Sequence, residues 1–392
     1  MIECDVLIVG SGPAGASLAY FLSTSKLRII LIDKKKIIEQ PVRCAEFVSK
    51  NLARLFDFKI SGINNSIDYM DIYSGFYPPY EITATVSSPG YMLDRAKFVG
   101  NIVERFKKNE GTLINCAKIF NLYKYSKEKV ISTIFDKKNN KFFKVKSKIV
   151  VGADGPLSVV GRYMGSRNEK FLLGIQENIE LKFNPIDHIK IFFIPFLKCG
   201  YGWIFPKSES VNLGIGIEIN DLKDTLIKFK ELLFKYGLII KKNNNLATAN
   251  KTTGLIPVSG IVKKPVFKNF VLVGDAAGLC HPITGAGIYN AIHSSKLAAQ
   301  IIIKTIKDND LKILYDINTT YKNEFGRSLD YALSKRSYLT RNWPEQFPKI
   351  TRTDYLNGAE EFNLNEKINN DLFLNLIRKT WVTFKEYWKE II

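Results

Sequence analysis

The chain has 392 residues, 46% of them hydrophobic and 24% charged, a balance that excludes a disordered polymer and gives length for about two to three structural units. No apolar run approaches the roughly 18 residues of a membrane-spanning helix, so a bilayer-spanning chain is not expected. The formal net charge of +19 leaves two readings open: a basic field for an anionic membrane, nucleic acid or phosphorylated substrate, or a lysine bias with no partner, as in KKNNNLATANK.

The first apolar run, CDVLIVG, starts at Cys4 with no basic leader before it, so a secretory signal is not expected and the cytoplasm is the expected location. The five cysteines, Cys4, Cys44, Cys116, Cys199 and Cys280, are scattered without a CxxC pair. They are expected to be free thiols, with no metal site. Asp5 to Val9 predicts a buried strand, Pro13 to Ser23 a helix and Arg28 to Ile32 a second strand, one βαβ unit. Its turn, GSGPAG, sets Gly10, Gly12 and Gly15 in GxGxxG spacing with Pro13 and Ala14 opening the helix. The first glycine permits the tight turn, the second admits a pyrophosphate to the backbone, and the third lets helix pack on strand. The helix N-terminus then faces the phosphates. Asp33, with Lys34 beside it, ends the second strand where its carboxylate can accept hydrogen bonds from an adenosine ribose. NAD and FAD share this half-site, so the turn alone does not choose between them.

Asp94 to Lys107 has helical periodicity, and SKIVVGADG reads as a buried strand ending in a tight turn at Asp154 and Gly155. From about Phe171 to Ile219, strand-like runs such as KIFFIP, GWIFP and VNLGIGIEI follow one another with short turns, the pattern of an antiparallel sheet in a second domain. A helix over Asp221 to Tyr236 follows. NFVLVGDAAG then returns to the buried-strand pattern. The predicted fold class is α/β: a discontinuous Rossmann-like domain (1–70, 95–168 and 264–310), an antiparallel-sheet substrate domain (71–94 and 169–263) and a C-terminal helical region (311–392).

In the returning segment a strand ends at Gly274-Asp275, small residues follow, and Pro282, Gly285, Ala286 and Gly287 lead into a helix from about Ile288. Such clearance suits a bulky ring system. Asp275 could bond a polyhydroxy chain or order water around a pyrophosphate, and the helix N-terminus could stabilise the charge that builds on a reduced isoalloxazine. These features select FAD as the expected cofactor.

GSGPAG with Asp33, GADGPLSVVGR (Gly152 to Arg162) and GDAAGLCHPITGAG occur in the order of the FAD-dependent family that resembles p-hydroxybenzoate hydroxylase. The resemblance implies that the Asp154-Gly155 turn borders the cofactor channel and that Arg95, in DRAKF, contacts the flavin side. Val99 stands where relatives often carry aspartate. YGWIFPK (Tyr201 to Lys207), the glycine-containing strand after it, and RCAEFVS (Arg43 to Ser49) resemble geranylgeranyl reductases, with Ala45 in place of a usual glycine and Ala286 in place of a frequent glutamate. That likeness implies an FAD enzyme saturating C=C bonds of an isoprenoid chain on a lipid or prenyl diphosphate, by hydride transfer from the flavin N5 with coupled protonation. Arg43, Cys44 and Ala45 would lie beside the flavin. The proton would come from water, Cys44, Tyr201 or Glu46, because an isolated alkene cannot delocalise the charge left by hydride addition. The donor of electrons stays open among NADPH, NADH, ferredoxin and a membrane carrier.

Individual residues carry alternatives. Tyr201, Trp203 and Phe205 share one strand face, which suits core packing or, with Pro206 and His281, a wall for an apolar chain. Cys44 is either an inert thiol or a group shaping the flavin pocket. His281 could instead bond the backbone, and His188 and His293 are expected to be structural. Leu374, Ile377, Trp381, Phe384, Trp388 and Ile391 form an apolar helical stripe beside Arg378, Lys379, Lys385 and Lys389, which would pack on the protein or lie peripherally on the cytoplasmic face of an anionic membrane. A flavin monooxygenase or halogenase is the runner-up, since YGWIFP is near the halogenase pattern WxWxIP. A non-catalytic flavin-binding protein is the third reading. Nucleic acid is not an expected partner, and an electron-donor protein is an open one.

Overall fold

The structure, a computed structural model, describes residues 1–74, 82–126, 128–180, 188–208, 210–218, 221–239 and 251–342. The C-terminal stripe from Leu374 to Ile391 lies outside the described residues. Seven α-helices are described: α1 (Pro13–Ser23), α2 (Arg95–Lys108), α3 (Val159–Tyr163), α4 (Leu222–Lys235), α5 (Ile288–Lys307), α6 (Asp316–Tyr321) and α7 (Arg327–Asn342). No described helix is long and apolar enough to cross a membrane.

A six-stranded sheet runs in the order Val266–Phe267, Phe270–Leu272, Ile149–Gly152, Val6–Val9, Ile29–Ile32, Thr112–Ile114, parallel throughout except for the first pair. Val6 to Val9 and Ile29 to Ile32 are buried at every position, as a parallel strand covered on both faces requires. Asp5, expected as the first strand residue, instead ties strand ends together: its carboxylate accepts from the Arg28 N–H at 3.0 Å and pairs with Lys148 at 3.1 Å. A four-stranded sheet of Ile2–Glu3, Lys141–Ser147, Val130–Asp136 and Ala117–Lys124 shares the same apolar core, through Ile119, Val130, Ile134 and Val145.

α2 is capped by Asp94, whose side chain accepts from the Lys97 N–H at 3.1 Å. Phe98, Val99, Ile102, Val103 and Phe106 form its buried stripe. Val99 therefore belongs to the core, which explains an apolar residue at that position.

The third sheet has eight strands in the order Lys251–Pro257, Phe171–Glu180, Ser210–Ile217, Tyr201–Pro206, Ile189–Phe193, Ile63–Ser74, Ile82–Leu93, Phe47–Ser49. It is antiparallel except where Ile189–Phe193 runs parallel to Ile63–Ser74. Two of its strands start within residues 1–70, the stretch expected to serve the nucleotide domain. INNSIDYMDIYS is rich in poor strand formers, so pairing with neighbours makes it a strand where local propensity does not. One sheet face packs on α4 through Ile204, Phe229 and Leu233. The other carries Ile191, Phe193, Trp203 and Phe205 toward Ile283, Ala332 and Leu339, joining the sheet to the GDAAG loop and α7.

Candidate active site

The GSGPAG turn is fixed by close backbone approach. Gly10 has φ +100°, and a Cβ there would stand 2.5 Å from the Ala153 carbonyl oxygen and 2.9 Å from the Asp154 Cα; at Gly15 a Cβ would fall 1.8 Å from the Gly10 oxygen. The two motifs thus touch through their backbones. No side chain caps α1 at Gly12, leaving its first N–H groups to face an anion. Asp33 braces this turn, accepting from Ser11 N and Oγ at 2.7 Å each and from Lys35 N at 2.8 Å. A carboxylate has about four acceptor positions, so one remains for a ribose hydroxyl. Lys34 is exposed.

The Asp154 carboxylate turns away from the turn and caps α3, accepting from Ser158 Oγ at 2.5 Å and Val159 N at 2.6 Å. Burial pushes it up from the usual carboxylate range, against these bonds. The expectation that this segment borders the channel therefore rests on its backbone and on Gly155 (φ +80°), not on the acid group.

In the second glycine-rich loop, Gly274–Ala277 is one tight helical turn, with Ala14 and Ala291 packed where a Gly274 side chain would stand. Asn168 Nδ2 holds the Asp275 carbonyl at 2.8 Å. Among the described residues none donates a hydrogen bond to the Asp275 carboxylate, which burial pushes up against the field of Arg95. Gly287 precedes α5 without a side-chain cap, and a Cβ there would lie 3.0 Å from Asp275 Oδ1. Two uncapped helix N-termini, a glycine cradle and a half-buried carboxylate with no donor among the described residues fit the diphosphate, ribityl chain and ring of FAD.

His281, expected against substrate, is fully buried and closes the loop instead: its N–H reaches the Ala286 carbonyl at 3.0 Å, its carbonyl accepts from Gly285 N at 2.9 Å, and its Nδ1 accepts from Thr284 N at 3.2 Å. Burial lowers its pKa to about 3, so the ring is neutral. Tyr201 donates its hydroxyl to the Thr284 carbonyl, fixing strand to loop. From α7, Arg336 Nη1 donates to the carbonyls of Pro282 and Cys199 at 3.3 and 3.4 Å.

The RCAE segment lies between these loops and the eight-stranded sheet. The Cys44 carbonyl accepts from Gln176 Nε2 at 2.8 Å and Asn212 Nδ2 at 3.1 Å, while its sulfur accepts from Glu46 N at 3.2 Å. Burial pushes the Cys44 thiol up, with Arg95 opposing. Ala45 packs on the Trp203 cluster and Arg43 is exposed. Glu46, a candidate proton donor, is committed elsewhere: it is buried, ion-paired with Lys207, and accepts the Arg95 N–H at 3.0 Å. Both of its carboxylate oxygens thus have partners within the protein. Arg95 Nε also pairs with Glu39 at 2.6 Å. Sequence patterns gave no sign of Glu39, Gln176, Asn212 or Arg336; Lys207 stood inside the YGWIFPK motif without an assigned role.

Tyr201, Trp203 and Phe205 form a continuous wall, with successive ring centroids 5.9 and 6.3 Å apart and Phe47 6.0 Å beyond Phe205. Trp203 faces Gly214 across the register, where a Cβ would meet its Cζ2 at 2.4 Å. Glycines on that strand thus make room for the rings. Pro206 ends the strand, its carbonyl held by Asn65 Nδ2 at 3.4 Å.

Residues 3–56 match the family model described as an FAD binding domain. A digeranylgeranylglycerophospholipid reductase of Thermoplasma acidophilum is 32% identical over 328 residues, 78% of this chain and 79% of the relative. A crystal structure of a geranylgeranyl bacteriochlorophyll reductase-like protein from the same organism superposes with a TM-score of 0.75 and 26% identity, covering 100% of both chains. The flavin-dependent brominase Bmp2 shares the fold at a TM-score of 0.65 and 18% identity, over 86% of this chain and 88% of that one.

Proposed function

The chain belongs to the digeranylgeranylglycerophospholipid reductase family, and from that premise we propose how its residues divide the work on a prenylated glycerophospholipid or related prenyl substrate. It is an FAD-dependent oxidoreductase that saturates C=C bonds of isoprenoid chains. Bound FAD, once reduced, supplies the hydride from N5. The protein's task is to hold the alkene dry and aligned and to deliver a proton to the other carbon.

The observation that carries the division is the single apolar cluster running from Trp203 and Phe205 through Tyr201, Ala45 and Ala286 to Ile283. This continuity supports reading the aromatic strand as a lipid-compatible wall beside the RCAE segment and the Pro282–Gly287 loop, both of which we assign to the flavin. Cys44 is our choice of proton source. Its thiol is kept protonated by burial, its carbonyl is clamped by two amides, and the other two candidates have their polar groups engaged by Lys207 or Thr284. Peripheral contact with the membrane that holds the substrate completes the reading, and NADPH, NADH, ferredoxin and a membrane carrier all stay open as the source of electrons.

The test is mass spectrometry of unsaturated prenyl glycerophospholipids incubated with the protein, FAD and dithionite without air. Gains of two hydrogens per bond are expected, with Cys44→Ser lowering turnover by roughly 10²-fold while FAD stays bound. Oxygen-dependent consumption of NAD(P)H with an oxygen or halogen atom added would assign the protein to the monooxygenase or halogenase class instead.

A further inference from the structure

The strand Ser210–Ile217 turns one amide toward the aromatic wall. Val211, Leu213, Ile215 and Ile217 pack on the α4 side, so alternation brings Asn212, Gly214 and Gly216 to the face of Trp203 and Tyr201. Asparagine is a poor strand former, and this one is buried to 3% exposure among apolar rings, a place that disfavours an amide unless its polar atoms are bonded. They are bonded, and to two different elements. Its Oδ1 accepts from Trp203 Nε1 at 3.4 Å, and its Nδ2 donates to the Cys44 carbonyl at 3.1 Å. Gln176 Nε2 reaches the same carbonyl at 2.8 Å and fills its second lone pair. An indole N–H can only donate and a peptide carbonyl can only accept, so the Asn212 amide has one allowed orientation, and no carboxylate could serve both neighbours.

We propose that Asn212 is a positioning residue shared by the substrate wall and the Cys44 peptide: one amide sets the plane of the Trp203 indole and the place of the Cys44 backbone, so that wall and thiol keep a fixed spacing. Gly214 only makes room for the ring, since a Cβ there would stand 2.4 Å from Trp203 Cζ2 and 2.7 Å from Gln176 Cβ. Asn212 supplies the direction that the gap leaves open, by taking the indole N–H. At the other end of Cys44 the sulfur accepts from Glu46 N at 3.2 Å, so main chain and side chain are both held. An alkene lying on the indole would then meet a proton source whose backbone is tied to that same ring.

The inference rests on the reading of Trp203 as wall and Cys44 as proton source, yet its first test needs neither prenyl lipid nor turnover. Hydrogen–deuterium exchange of the full-length, FAD-loaded protein, read by mass spectrometry on the peptide carrying Arg43 to Ser49, reports how firmly the RCAE segment is held. Asn212→Leu removes both bonds and should speed that exchange about fivefold. Trp203→Phe removes the indole donor while keeping a ring for Ala45 to pack on, and should speed it about twofold. The double variant should exchange no faster than Asn212→Leu, because the indole N–H acts on Cys44 through Asn212. Asn212→Asp keeps the size and the acceptor but loses the donor, so it guards against loss of folding and should match Asn212→Leu. On an unsaturated prenyl glycerophospholipid, Asn212→Asp should lower kcat about tenfold and hold KM within about twofold, since the wall is kept. Unchanged exchange in both Asn212 variants, single effects that multiply in the double variant, or a loss confined to KM overturns the assignment. A native protein that reduces no prenyl lipid would overturn the functional reading, and the exchange series would still decide the coupling.

Discussion

His281 shows how a residue picked for its chemistry can be used for its shape. Its neutral ring accepts the Thr284 N–H inside a closed loop, and protonation would destroy that acceptor. The sign of the pH effect follows. The ordinary pKa of 6.5 is lowered by burial to about 3 in the folded chain, so below 6.5 the unfolded chain takes up a proton that the folded one refuses. Stability from this group is complete above 6.5 and lost as pH falls toward 3. Between about pH 7 and about pH 5 the loss should be about 2 kcal/mol. Urea midpoints at the two pH values should show it in the native protein and much less in His281→Asn, whose side-chain oxygen can still accept from Thr284. Glu46 teaches the same lesson. The sequence placed it next to Cys44, but Lys207 lies 161 positions away, and only the fold reveals that the two meet. Replacing Lys207 with Met should strand a buried carboxylate and cost about 3 to 5 kcal/mol on chemical unfolding, well above what an exposed pair would lose.

At the level of elements, the signals legible in the sequence were those carried by backbone sterics and periodicity. α1 spans Pro13–Ser23 as predicted, because Pro favours the first helical turn and the glycine spacing permits only one close helix–strand contact. α2 begins one residue later than its pattern, since Asp94 serves as cap. Ile63–Ser74 was illegible, its strand state being set by partners far along the chain. The VNLGIGIEI strand was visible but unexplained. Gly214 and Gly216 stand opposite Trp203 and Tyr201, and the rings lie across the gap they leave. Gly214→Ala should therefore act on the wall and not on the cofactor. The new methyl would meet Trp203 at 2.4 Å and the Ile175 carbonyl at 2.6 Å, a clash expected to cost about 1 to 3 kcal/mol. Prenyl reduction should drop at least tenfold while FAD affinity, measured by quenching of flavin fluorescence, changes less than twofold. A comparable loss of flavin would show that the strand supports the cofactor directly.

For the whole molecule, the charge of +19 must be weighed against the substrate that the family acts on. A lysine bias spread over a soluble surface produces weak, sequence-independent attraction, whereas an amphipathic stripe that inserts tryptophan adds apolar burial to the attraction. Salt separates the two, because screening acts on the first and leaves much of the second. Reading the stripe at Trp381, Trp388 and their neighbouring lysines as a membrane contact, the full-length protein should sediment with vesicles containing phosphatidylglycerol at about 0.15 M salt and stay in solution with phosphatidylcholine vesicles. Raising salt to about 0.5 M should weaken the binding without abolishing it. Trp381→Ser combined with Trp388→Ser should release the protein from vesicles at the lower salt, while FAD content and reduction of a detergent-dispersed prenyl lipid stay within twofold. If the double variant sediments as the native protein does, the stripe packs on the protein itself. Reduction of lipid held in a bilayer should then be as insensitive to the variant as reduction in detergent.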